Sequence, residues 1–232
     1  MLGTALTPQP PLPGAGEGER LANLNRTYPN PMKLGVLGGT FDPVHLGHLA
    51  AAEEAAYRFG LERVLLVPAR HQPLKEHDPW TTDEHRLTML RLAVDGNPRL
   101  AISMLELERP APSYTVDTLR LLRAAHGPSC ELYFLLGIDA VNALDRWREP
   151  AALLRLARLV VMSRSDVREP DWPMLRAIAP DVDERVELLA VPDIDISSRE
   201  LRRRVAAGEP IRYQVPDAVW AYIEARGLYQ QR

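Results

Sequence analysis

The segment from Lys33 to Phe59 constrains the fold more than any other part of the chain. It opens on the apolar run Lys33-Leu34-Gly35-Val36-Leu37 and passes through Gly38 and Gly39. It then enters an apolar, alanine-rich stretch from Leu46 to Phe59. The run reads as a short buried strand and the stretch as an amphipathic helix. Gly38 and Gly39 let main chain approach a ligand where a side chain would block it, and Pro43 suits a helix entry. The N–H groups at a helix start favour anions, phosphate above all. His45 and His48, three apart at that start, add two donors near one face. The pattern predicts a triphosphate site at a strand–turn–helix junction. Two histidines at this spacing could also begin a zinc site. Zinc sites usually take three or four ligands, however, Cys130 is the sole cysteine, and no third ligand lies nearby.

Further along, apolar runs at Leu34–Leu37, Val64–Val67, Leu100–Leu105, Leu132–Leu136, Leu159–Met162 and Val186–Val191 read as strands. Helical patterns lie between them at Leu46–Phe59, Asp83–Val94, Thr115–Ala125 and, less regularly, Ala140–Leu156. Asp83 stands as the N-cap of its helix, and a last helix runs from Asp217 to Arg226 after Pro216. This alternation predicts an α/β fold: a single-domain, Rossmann-like, doubly wound parallel sheet with helices on both faces. Ligands in such sheets sit at the carboxyl ends of the strands near the topological switch, where the glycine turn after strand one falls.

With 232 residues and 46% apolar content, one such domain can build a full core. A net charge of −3 argues against a dedicated nucleic-acid binder, and no apolar run approaches the roughly 20 residues that span a bilayer. One cysteine rules out an internal disulfide framework and fits a reducing compartment, so a soluble, cytoplasmic protein is expected. Residues 1–31 differ from the rest: they are rich in Pro and Gly, lack apolar periodicity, and make a poor signal peptide. They are expected to be a flexible tail, or the product of a misassigned start, ahead of a single folded domain over 32–232. Oligomeric state leaves no readable signal.

Two more segments carry chemistry. In Ile196-Ser197-Ser198-Arg199-Glu200-Leu201-Arg202, Ser197 with Glu200 fits a capping box, and Arg202 falls one helical turn after Ser198. Arg202 can therefore face whatever the helix start binds. The stretch Arg109-Pro110-Ala111-Pro112-Ser113-Tyr114-Thr115 leads into the third helix, where Thr115 could be ordinary turn chemistry.

Gly38-Gly39-Thr40-Phe41-Asp42-Pro43-Val44-His45-Leu46-Gly47-His48 resembles the signature of the nucleotidylyltransferase superfamily. In its Gly-Gly-Thr-Phe-Asp-Pro form it is similar to bacterial nicotinate-nucleotide adenylyltransferases. The likeness covers roughly Met32 to Tyr229. It implies that Gly38, Gly39, Thr40, Phe41, His45 and His48 meet ATP. The Ile196, Ser197, Ser198 and Arg202 stretch resembles the second signature, which engages the ATP phosphates. Gly137 and Asp139 resemble the Gly-x-Asp element that meets the adenosine ribose, and Arg164 matches a basic position lining the nucleotide site. Ser113, Tyr114 and Thr115 look like the element placed beside the nicotinate ring, and Trp147 stands where a tryptophan stacks on it. Lys75 keeps a basic position in the Gln72–Lys75 loop, although Leu74 replaces the family's histidine and Ala69 stands where some relatives have asparagine.

The resemblance implies adenylyl transfer from ATP to nicotinic acid mononucleotide, with His45, His48 and Arg202 as the catalytic set. Magnesium would arrive on the ATP phosphates, without a protein-built metal site. The alternatives are nicotinamide mononucleotide or another phosphomonoester as acceptor, or a nucleotide sensor of the same fold that has lost turnover. A phosphopantetheine acceptor fits less well because Ser113-Tyr114-Thr115 and Trp147 speak for a pyridine ring. An NAD-dependent dehydrogenase would need Gly-x-Gly-x-x-Gly after strand one, which the chain does not supply.

Overall fold

The computed structural model describes residues 31–71, 79–163, 169–191 and 194–230. Six strands form one sheet: β1 (Lys33–Gly39), β2 (Arg63–Pro68), β3 (Leu100–Ile102), β4 (Glu131–Gly137), β5 (Arg158–Ser163) and β6 (Val186–Ala190). Their order is β3-β2-β1-β4-β5-β6, and every pairing is parallel. This is the doubly wound arrangement expected from the alternating pattern, with the chain reversing direction across the sheet between β1 and β4. The helices are α1 (Leu46–Phe59), α2 (Asp83–Val94), α3 (Thr115–His126), α4 (Ile138–Val141), α5 (Pro150–Leu156), α6 (Trp172–Ile178), α7 (Ser198–Ala206) and α8 (Asp217–Arg226).

The strands read as unbroken apolar runs because both sheet faces are covered. On β4, Leu132, Phe134 and Leu136 enter one core with Leu119 and Leu122 of α3, Leu153 and Leu154 of α5 and Leu175 of α6. Tyr133 and Leu135 point the other way, to Ala52 and Ala55 of α1, Met89 and Leu90 of α2, Leu201 of α7, and Val219 and Ile223 of α8. Gly35 in β1 reflects tight packing on this second face: a Cβ there would stand 2.8 Å from Val64 and 2.9 Å from Leu61 side-chain carbons. Glycine is needed there because Leu61, in the connection after α1, and Val64 of β2 already fill the place of a side chain.

Three expectations need correction, and one helix is an addition. β3, an edge strand, stops at Ile102, three residues short of Leu105, after three parallel pairs with β2. The chain then turns, with Glu108 N–H bonding the Met104 carbonyl. The stretch Ala140–Leu156 is not one helix. It is α4, a 3₁₀ turn over Leu144–Arg146, and α5, broken where Glu149 takes φ 50° and Pro150 restarts the helix. Thr82, not Asp83, caps α2 through its hydroxyl, while Asp83 bonds Arg86. α6 was not read from the sequence, although Asp171 caps it through Met174 N–H and Pro173 lies in its first turn.

Candidate active site

The glycine turn lies at the carboxyl end of β1, beside the end of β4, at the switch point of the sheet. Gly38 is exposed. A Cβ on Gly39 would come within 3.0 Å of the Phe41 ring, so the glycine leaves room for that ring to fold back. Phe41 takes φ 50° and is 1% exposed, so its side chain belongs to the core and shapes the turn, leaving only its main chain for a ligand. Thr40 contributes its carbonyl to Arg86, which is wholly buried. Arg86 Nη1 donates at 2.8 Å to Thr40 O and at 2.8 Å to Ala69 O, and Nη2 donates to Asp83. One guanidinium thus clamps the ends of β1 and β2 together.

His45 is the N-cap residue of α1, with extended main chain at φ −142°. Its ring stacks on His48 at 3.7 Å between centroids and 27° between planes, and Phe41 meets His48 edge-on at 5.0 Å. His45 N–H donates to His48 Nδ1 at 3.3 Å. That bond makes Nδ1 an acceptor and assigns the ring proton to Nε2, which is the arrangement a phosphate donor needs. His45 is only 6% exposed and lies behind His48. Gly47 fits this stack: a Cβ there would be 3.1 Å from His45 Nδ1. One helix-start amide is already committed, since Leu46 N–H donates to the Gln214 carbonyl at 3.0 Å.

The second signature docks onto the first. Ser197 caps α7 by accepting from Glu200 N–H, Ser198 Oγ donates to the Pro43 carbonyl at 2.8 Å, and Arg202 Nη1 donates to the Asp42 carbonyl at 2.6 Å. Glu200 turns instead to Arg203, so only the serine half of the capping box forms. Ile196 packs against the α1-side core. Arg202 stands 5.4 Å over the exposed Trp80 ring, and its buried Nε has no hydrogen-bond partner among the described residues. Burial presses its pKa downwards, while Asp42 and Tyr229 hold it up. A half-buried guanidinium fixed against the histidine turn is suited to a phosphate.

Gly137 ends β4 and caps α4, which carries Asp139; both are exposed, and the space where a Gly137 side chain would project is open. Across the site, Ser113 N–H donates to the His71 carbonyl, and its hydroxyl points inward to the Glu106 carbonyl at 3.5 Å. Ser113 is buried, so it shapes this loop and does not offer its hydroxyl to a ligand. Tyr114 caps α3 and Thr115 begins it. The Arg148 guanidinium lies 4.5 Å over the Tyr114 ring, and the neighbouring Trp147 meets Phe134 edge-on at 6.0 Å. The two predicted ring-binding segments therefore meet through Arg148. Lys75 and Arg164, with the rest of the Gln72–Lys75 loop, lie outside the described residues.

Four buried or half-buried residues that brace the surrounding loops escaped the sequence reading: Asp42, Arg86, Glu106 and Tyr229. Arg86 had a signal, an arginine within the core-facing stripe of α2. Glu106, 7% exposed, accepts from the Thr118 hydroxyl at 2.7 Å, and Arg109 Nη2 donates to the same hydroxyl at 2.8 Å. Burial holds the Glu106 carboxyl above the usual carboxylate range, against the opposing pull of Thr118, Arg109 and Ser113. Among the described residues, no group of three or more His, Cys, Asp or Glu could hold a metal, and no helix is long and apolar enough to cross a membrane.

Comparison with known proteins bears on this geometry. A family model described as cytidylyltransferase-like matches residues 36–204. A protein of Roseiflexus sp. (strain RS-1) named "Probable nicotinate-nucleotide adenylyltransferase" is 52% identical over 198 residues, covering 85% of this chain and 98% of its own. One of the same name from Symbiobacterium thermophilum is 44% identical over 199 residues, covering 85% and 95%. Among solved structures, Plasmodium falciparum nicotinic acid mononucleotide adenylyltransferase complexed with NaAD superposes with a TM-score of 0.67 at 20% identity, over 85% of this chain and 97% of that one. At that identity the superposition supports the fold.

Proposed function

Because the chain belongs to the cytidylyltransferase-like family and, within it, to the nicotinate-nucleotide adenylyltransferases, we propose that it transfers the adenylyl group of ATP to nicotinic acid mononucleotide in NAD biosynthesis. The single observation that carries the reading is the docking of Arg202 and Ser198 onto the Asp42–Pro43 turn beside the stacked His45 and His48. It ties a distant arginine-bearing helix to the turn that carries the two histidines, which supports reading them as one anion site.

In the reaction, a phosphate oxygen of the mononucleotide attacks the α-phosphorus of ATP. The bond from that phosphorus to the bridging oxygen breaks, its electron pair leaves with pyrophosphate, and the deamido dinucleotide forms. A phosphomonoester has a second pKa of roughly 6, so the nucleophile is already largely ionised at neutral pH and needs no general base. The protein's task is to hold two anions together and to stabilise charge on the α-phosphoryl and leaving groups. His48 Nε2 is the donor best suited to this, with the His45 ring stacked on its own and Arg202 held against the Asp42 carbonyl of the same turn. Exposed Gly38 and the main chain of Gly39, Thr40 and Phe41 are the phosphate-facing candidates of the turn, and the open space at Gly137 with the Asp139 carboxylate suits the ribose. Ile196 and Ser197 set the start of α7, and Lys75 and Arg164 are further phosphate-binding candidates.

The site side chains are histidine and arginine donors, which fit a nucleotide that brings its own magnesium. Bound that way, the ion supplies charge neutralisation on the phosphates. On the acceptor side, Tyr114, Thr115 and Trp147 frame a pyridine ring, while Ser113 shapes the loop. The Arg148 cation beside them favours a ring bearing a carboxylate over one bearing an amide. A cytoplasmic setting, where ATP is supplied, belongs to the same reading.

The test is pyrophosphate release with ATP and Mg²⁺, comparing nicotinic acid mononucleotide with nicotinamide mononucleotide. Turnover should favour the acid and fall about 10²–10³-fold in His48→Ala, as for loss of one charge-stabilising donor. Preference for the amide would move the acceptor, and no turnover with either would overturn the reading.

A further inference from the structure

The signature aspartate and the C-terminal end of α8 meet at a place that the reaction does not obviously require. Asp42 is 1% exposed, and its carboxylate is fully surrounded by donors. Oδ2 accepts from Trp80 N–H at 2.6 Å and Thr81 N–H at 3.2 Å; Oδ1 accepts from the Thr81 hydroxyl at 2.7 Å and the Tyr229 hydroxyl at 2.6 Å. The Asp42 carbonyl accepts from Arg202, and the next carbonyl, of Pro43, accepts from Ser198. One residue thus joins four segments: the turn after β1, the approach to α2, the start of α7 and the chain end after α8. Tyr229 follows the Gly227 C-cap of α8 and itself takes φ 64°, which turns its ring inwards.

We propose that Asp42 and Tyr229 are positioning residues for adenylyl transfer, fixing the turn that presents His45 and His48 and the carbonyl that aims Arg202. The proposal rests on the function argued above. Asp42 works here through its shape and hydrogen bonds, not as a base. A hydroxyl can donate or accept, whereas a main-chain N–H only donates. The partners of Oδ1 are both hydroxyls and those of Oδ2 are both N–H groups. An asparagine with its oxygen at the Oδ2 position and its NH₂ at the Oδ1 position therefore satisfies every partner without the charge. Burial beside Asp42 also keeps the Tyr229 phenol well above its ordinary pKa, so it remains a donor across the working pH range.

Three variants test this: Tyr229→Phe, Asp42→Asn and Asp42→Ala. Each is assayed for kcat and KM with both substrates and for ATP–Mg²⁺ binding by calorimetry. In Tyr229→Phe, kcat/KM for ATP should fall about tenfold, as loss of a hydrogen bond to a charged group implies, with KM for nicotinic acid mononucleotide unchanged. Asp42→Asn should recover most of what Asp42→Ala loses. If Asp42→Ala fails to fold, the other two variants carry the test. Wild-type kinetics in Tyr229→Phe, even with a lowered Tm, would make the latch merely structural and overturn the proposal. An Asp42→Asn protein that folds but loses turnover would show that the charge acts, and would overturn it equally. If the wild type turns over neither mononucleotide, the functional reading fails by itself. Calorimetry then decides the positioning claim, supported by about tenfold weaker ATP binding in Tyr229→Phe and overturned by unchanged binding.

Discussion

Gly47→Ala adds one methyl group in the first turn of α1, and its consequence can be worked from distances. The new Cβ would lie 3.1 Å from His45 Nδ1, 3.2 Å from His45 Cε1 and 3.8 Å from Ile194 Cγ2, so the His45 ring must retreat by a few tenths of an ångström. It cannot do so alone, because it stacks on His48 at 3.7 Å. A misplacement of about 1 Å can cost on the order of 10²-fold in rate, so a few tenths should lower kcat by roughly 3- to 10-fold. Stability should hardly change. Alanine gains up to about 1 kcal/mol over glycine in a helix interior, less in a first turn, while overpacking costs about 1–3 kcal/mol. These oppose each other, and a residual of about 1 kcal/mol would shift Tm by about 2–4 °C in a chain of this size. The assay pairs thermal unfolding with steady-state pyrophosphate release at saturating ATP. A Gly47→Ala protein with raised Tm and wild-type kcat would refute the reasoning, because it would mean that the histidine stack tolerates displacement.

Arg86→Ala should destabilise the fold by about 3–5 kcal/mol in chemical denaturation, since it leaves the Thr40 and Ala69 carbonyls and Asp83 without their common donor. Arg86→Lys should not restore it, because one ammonium cannot span the fork; a loss below about 1 kcal/mol in either variant would count against the clamp. Glu106 gives a pH signature. Its carboxyl is raised in the folded state by burial, so folding favours the protonated form, and stability is lost as pH climbs from the ordinary glutamate range through the raised folded value. Urea denaturation across pH should therefore show Glu106→Gln gaining on the wild type over that window and levelling above it. A wild type that instead gained on Glu106→Gln as pH rose would contradict the assignment.

The sequence determined those features that depend on local order. Lys33–Phe59 could be read as strand, turn and helix because the apolar periodicity changes across two glycines, and α1 begins and ends where that pattern does. The parallel, doubly wound sheet followed from alternation alone. His45, His48, Ser198 and Arg202 were visible because each lies within a short motif whose chemistry depends on spacing along the chain. Where the outcome depended on partners far away in sequence, local pattern could not decide it. β3 ends where its pairing with β2 gives way to the turn at Met104–Glu108, and Ala140–Leu156 breaks where Trp147 packs on Phe134 and Pro150 restarts a helix. Phe41 and Ser113 stood in motifs as ligand contacts, but core packing turns both side chains inward. Tyr229 looked like the close of a structural helix. Only the folded chain brings its hydroxyl 2.6 Å from Asp42, a residue 187 positions away, and joins the segment after α8 to the histidine turn. Hydrogen bonds and burial are properties of what surrounds a group in three dimensions, so the sequence could supply these residues while tertiary packing assigned their work.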